Sequence, residues 1–177
     1  MRIDPKHFNK FIAFCAAVTI VVIIFSTIHY SQKQSADFKN KIDEVDFNSL
    51  SFHSYSEQDT LRISELADRH VVIHFWSTWS GKSQSVNQFL SEYSNQRDDL
   101  YVIAASVRDG ENQIMDYINS NLFTFHFVEG TDFFHSVFAP GIPTQILLNR
   151  DGTLHSSHVG DDIEELQNLL NRLFIDG

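Results

Sequence analysis

One cysteine, Cys15, serves all 177 residues, and it lies inside an apolar run near the amino end. A chain with one thiol can neither close an intramolecular disulfide nor carry a redox dithiol. Beyond residue 30 there is no thiol at all, so cysteine usage gives no reading of the redox compartment. Basic side chains are also scarce: 13 Lys+Arg face 23 Asp+Glu, a formal net charge of −10. With Arg2, Lys6, Lys10 and Asp4 set aside, 10 basic and 22 acidic side chains remain after residue 30. Such a domain repels phosphate backbones and offers no Lys/Arg stripe, which argues against a nucleic-acid partner. Internal repeats and low-complexity tracts are absent as well.

What is present first is an uncharged run over residues 11–28. At about 1.5 Å per helical residue it spans roughly 27 Å, close to the hydrocarbon thickness of a bilayer. Basic residues (Arg2, Lys6, Lys10) precede it, as they would precede a cleaved signal peptide. The run exceeds a usual signal core, however, and no small-x-small cleavage site follows at Ser26-Thr-Ile-His-Tyr30. A retained signal-anchor over 11–30 is therefore expected, after an N-terminal segment 1–10. The basic residues flanking the run are nearly balanced, Arg2, Lys6 and Lys10 before it and Lys33, Lys39 and Lys41 after it, so charge alone does not orient it. Cys15 reads as a small hydrophobe within it. Residues 31–44 are polar and predict a juxtamembrane spacer, leaving 45–177 as one domain.

Alternating segments around Leu50/Phe52 and Leu61/Ile63 predict short strands. Residues 71–76 and 100–107 are apolar almost throughout, as in central strands covered on both faces. Between them Val86, Phe89, Leu90 and Tyr93 recur at helical spacing, which completes a βαβ unit. Ile114, Ile118 and Leu122 predict a second helix over 111–122, followed by an extended stretch 123–128 and a short helix near 132–138. Strands are expected over 144–149 and 153–159, turning at Asp151-Gly152. Ile163, Leu166, Leu170 and Leu173 predict a closing helix capped by Asp161 or Asp162.

Four stretches carry a resemblance. They are Asp59-Thr-Leu-Arg-Ile-Ser-Glu-Leu66, His74-Phe-Trp-Ser-Thr-Trp-Ser80, Gly141-Ile-Pro-Thr144 and Gln145-Ile-Leu-Leu-Asn-Arg-Asp-Gly-Thr-Leu154. In this order they resemble the entry segment, active-site turn, cis-proline loop and following hairpin of the TlpA/ResA-like, membrane-anchored branch of the thioredoxin superfamily. The resemblance implies an α/β, thioredoxin-like fold: a central mixed sheet flanked by helices, after an N-terminal transmembrane helix. It also implies a single-pass protein of the cell inner membrane whose domain faces the periplasm or extracytoplasmic side, and it alone places residues 1–10 in the cytoplasm.

The departures define the functional question. Ser80 and Ser83 occupy both cysteine positions of the family's Trp-Cys-x-x-Cys turn, and His74 stands where thioredoxins carry a buried acid. Helix N-terminal amides can lower a thiol's pKa, but they cannot bring a serine hydroxyl near ionisation at neutral pH. A serine nucleophile needs an oriented base beside it, and only His74 is close in sequence. Ser80 otherwise reads as a helix cap. No residue is thus assigned a catalytic role. Gly81-Lys82-Ser83 is not a phosphate loop, since Trp76 stands where its first glycine is required. His155 and His158, three apart on a strand, point to opposite faces, and His126 and His135 lie on other elements, so neither metal nor other cofactor is expected.

The surviving feature is the loop of Ile142 and Pro143. By resemblance it lies beside the active-site turn with a cis bond and presents backbone to an extended peptide; otherwise it is a connecting turn. The candidate groove is Trp79, Gly81, Lys82, Ile142, Pro143 and Thr144, with a client polypeptide as partner. Two enzymatic alternatives stand beside this binding role. Ser80 could orient a small thiol such as glutathione, or the serines could replace the cysteines of an active thiol-disulfide oxidoreductase.

Overall fold

The computed structural model describes residues 5–55 and 60–176. Asp59 of the entry motif lies outside the described residues. Helix α1, Pro5–Asp43, runs 39 residues without interruption, about 58 Å at the standard rise. Among the described residues it is the one helix long and apolar enough to cross a membrane, and none of its apolar window is buried by the rest of the chain.

Here the structure corrects the expected spacer. Residues 31–43 continue the helix, and Phe38 (1% exposed) and Ile42 (2%) enter the core. The segment contains no proline or glycine to stop the helix. Gln34, Phe38 and Ile42 recur every four residues, so they share one face, and that face meets the domain. Burial of the two apolar side chains stabilises this docking by about 1.5–3 kcal/mol each. The folded unit therefore begins before residue 45.

Short strands β1 (Ser51–His53) and β2 (Thr60–Arg62) pair antiparallel; Ile63 opens a 3-10 turn instead of extending β2. Next come β3 (His70–Trp76), α2 (Gly81–Ser94), β4 (Leu100–Ser106), α3 (Glu111–Ser120), β5 (His126–Glu129) and α4 (Thr131–Ser136). The chain closes with β6 (Thr144–Leu148), β7 (Leu154–Val159) and α5 (Ile163–Asp176). The main sheet has the order β5-β4-β3-β6-β7. Strands β5, β4 and β3 are parallel, while β6 and β7 run antiparallel. This is the mixed sheet, flanked by helices, of the expected thioredoxin-like fold.

Strand β3 is the spine. All seven of its residues are buried, and alternation divides them between two cores. Val71, Ile73 and Phe75 join Phe38, Ile42, Phe52, Phe134 and Ile146 on one face. Val72 and Trp76 join Val86, Leu90, Ile114, Leu166 and Leu170 on the other. Helix α3 stops at Ser120, and Leu122 is fully exposed. Asn121 ends that helix, its side chain donating to the Tyr117 carbonyl at 2.8 Å. Asp151-Gly152 turns as expected: Gly152 sits at φ 80, and Asn48 donates to the Asp151 carbonyl at 3.0 Å. Asp162 caps α5, its carboxylate accepting from the Glu165 N–H at 3.0 Å.

Candidate functional site

Strand β3 delivers the chain into the turn 77–80, and α2 starts immediately after it. The turn is clamped from β4's side of the sheet. Asp109, just beyond that strand, accepts from the Ser77 hydroxyl (2.9 Å), the Thr78 N–H (2.9 Å) and the Thr78 hydroxyl (2.7 Å). From within α2, the Gln84 amide donates to the Thr78 carbonyl at 3.1 Å. The turn is therefore fixed by side chains, while Trp79 at its tip stands 66% exposed.

Ser80 is the helix cap. Its Oγ accepts from the Ser83 N–H at 3.2 Å, and no histidine or carboxylate hydrogen-bonds it among the described residues. Ser83 is fully buried, with an Oγ that has no partner. Lys82 projects outward to Asp161, Nζ to Oδ1 2.9 Å, and that bond holds the Asp161 carboxyl below its ordinary range.

His74 does not approach Ser80 as a base would. It is buried on the α2 side of β3, where its Nδ1 lies 3.1 Å from Gln145 Nε2, its register partner on β6. Burial drives the imidazole pKa down to about 3; the Asn87 amide and the Thr144 backbone oppose that shift without overcoming it. A proton on this ring would lose its hydration with no carboxylate in return. His74 is thus a neutral structural group at neutral pH. Asn87 donates to the Tyr117 hydroxyl at 3.0 Å, so uncharged polar groups occupy the region where the resemblance places a buried acid.

The loop before β6 comes to the same end of the sheet. Pairing of Phe75 with Thr144 sets Pro143 beside the carboxyl end of β3, where the turn begins. The Ile142-Pro143 bond is cis. The Pro143 carbonyl accepts from the Gly160 N–H at 2.9 Å, whereas the backbone N–H and C=O of Ile142 have no partner among the described residues. Thr144 is fully buried and donates its hydroxyl to the Gly141 carbonyl at 2.7 Å, so it supports the loop and adds no groove surface. Ile142 and Pro143 thus lie at the end of the sheet from which the turn bearing Trp79 leaves, with Gly81 and Lys82 opening the helix that follows.

The other histidines remain dispersed. His126 packs on Tyr101, His135 meets Arg108, and His158 Nδ1 lies 3.6 Å from a Glu165 carboxylate oxygen. No group of three His, Cys, Asp or Glu that could hold a metal occurs among the described residues. Sequence reasoning missed Asp109, Asn87 and Gln145. Only position marks Asp109: in open α/β sheets, loops beyond the carboxyl ends of parallel strands border the site.

No family model and no curated protein matches this chain. Solved structures do. A putative thiol:disulfide interchange protein DsbE from Chlorobium tepidum superposes with a TM-score of 0.63 at 17% identity, covering 70% of this chain and 92% of that one. StoA from Bacillus subtilis gives 0.57 at 17% identity, covering 68% and 95%. A secreted disulfide oxidoreductase of Mycobacterium tuberculosis gives 0.59 at 13% identity, covering 75% and 98%. The chain has the thioredoxin-like fold of these proteins, with one cysteine in its whole length.

Proposed function

We propose that this chain is a membrane-tethered thioredoxin-like protein without dithiol chemistry, which holds an extended client polypeptide along Trp79, Ile142 and Pro143. One observation carries the reading: the Trp79 indole is exposed on the turn after β3, and at the same end of the sheet Ile142 leaves a backbone donor and acceptor unpaired among the described residues. Extended peptides bind exposed backbone by strand-like hydrogen bonds, and an aromatic anchor supplies much of the affinity. The cap role of Ser80 and the burial of Ser83 support a turn that works as a fixed wall. The apolar helix supports an anchor, and the secreted and thiol:disulfide interchange neighbours support a domain on the extracytoplasmic face.

The test is twofold. Purified full-length chain in detergent is expected to reduce insulin no faster than buffer, and clear turnover would defeat the reading. In a fluorescence-anisotropy screen with unstructured peptides, Trp79→Ala is expected to weaken the best binder by about 2 kcal/mol, or roughly thirtyfold. Equal affinity of the two proteins would remove the groove from the proposal.

A further inference from the structure

A recess of about 390 Å³ lies between α1 and the end of α4, on the sheet face away from α2. Tyr30, Lys33 and Asp37 line it from the helix; Phe134, His135 and Phe138 line it from α4 and the loop that follows. Two features set it apart from ordinary surface. Phe138 holds a left-handed backbone (φ 55), a conformation costly for a bulky residue, and is 61% exposed. Lys33 makes no ion pair among the described residues, and the Arg108 guanidinium lies 3.5 Å from His135 Nε2, bringing a second cation to the rim.

Position identifies the occupant. The uncharged run ends at Ile28, so Tyr30 and Lys33 stand about 3 and 7–8 Å farther along an uninterrupted helix. A headgroup layer adds roughly 5–7 Å to each side of the hydrocarbon core. The mouth of the recess therefore falls at the depth where aromatic belts and Lys or Arg meet lipid phosphates. The domain as a whole is strongly acidic and Asp37 is in the lining, so a broad attraction to an anionic surface is excluded. A local contact fits.

We propose that this recess seats the phosphate-bearing headgroup of a phospholipid from the bilayer that α1 crosses. Lys33 and Arg108 meet the phosphate and Tyr30 lies in the interfacial layer, while Phe138, which also borders Asn40 and Lys41, closes the end of the recess farther from the bilayer. The folded domain thereby gains a second membrane contact. The inference rests on the anchor reading of α1, and the experiment separates the two.

Full-length chain carrying Cys15→Ser and Phe138→Cys, labelled with bimane, is reconstituted into phosphatidylcholine vesicles containing headgroup spin-labelled lipid. A second preparation carries the probe on α4 itself, through Ser136→Cys, and a control carries it on α5 through Gln167→Cys. The expected result is co-flotation of all three, loss of fluorescence at 138 and 136, and little loss at 167. Adding Lys33→Glu with Arg108→Glu should abolish the loss at 138 while co-flotation persists. Flotation without quenching at 138 and 136, equal quenching at all three positions, or quenching that survives charge reversal would overturn the headgroup contact and leave the anchor standing. A disulfide-linked dimer through unlabelled position 138 would assign the recess to a second copy instead. Failure to float would remove both the anchor and the contact.

Discussion

Ser80 and Ser83 stand one turn apart and do different work: one closes the helix end, the other is sealed beneath it with an unpaired hydroxyl. Ser80→Ala is expected to destabilise the fold by about 1 kcal/mol, the usual cost of a lost N-cap, read as a lower urea midpoint at unchanged m. His74 gives a sharper test. Its folded pKa of about 3 lies far below the ordinary 6.5, so the unfolded chain binds a proton that the folded chain refuses. Stability from this site is complete above pH 6.5 and falls as pH drops from there toward 3, by up to about 1.4 kcal/mol per unit. Burial lowers the His70 pKa too, in the same direction. In urea titrations between pH 7 and 4.5, His74→Gln is expected to flatten the dependence; an unchanged slope would mean that the imidazole is solvated.

Among the elements, β3 was legible because a strand covered on both sides loses its polar alternation, and Val71 to Trp76 shows that loss. The helix after the turn was legible from its period, and its cap from Ser80. Asp109 was not, since a lone aspartate beyond a strand looks like any turn residue until β4 pairs with β3 and brings it across. Leu122 fitted the helical period of α3, but the Asn121 side chain ends the helix before it. The three bonds to Asp109 make a further prediction. Asp109→Ala should cost about 2 kcal/mol, as loss of hydrogen bonds to a charged group does, and should weaken peptide binding although Trp79 is untouched. Calorimetry paired with anisotropy would measure both.

At the scale of the molecule, residues 31–44 were the main misreading. A polar stretch with only Phe38 and Ile42 on its inner face looks like a tether, and tertiary contact alone makes it core. The chain cut to residues 31–177 is therefore expected to unfold cooperatively. The chain cut to 45–177 should lose about 5 kcal/mol, on the scale of deleting two large buried side chains, which is a large fraction of a typical domain's stability. Circular dichroism melts of the two would decide.

The same unbroken rod from Pro5 to Asp43 has one more consequence. Helices lean to match the thickness of the membrane they cross. Were α1 to anchor the chain as proposed, the unbroken helix would hand each degree of lean to Trp79 and Ile142, and the thickness of the surrounding lipid would set the angle at which the proposed groove faces a client.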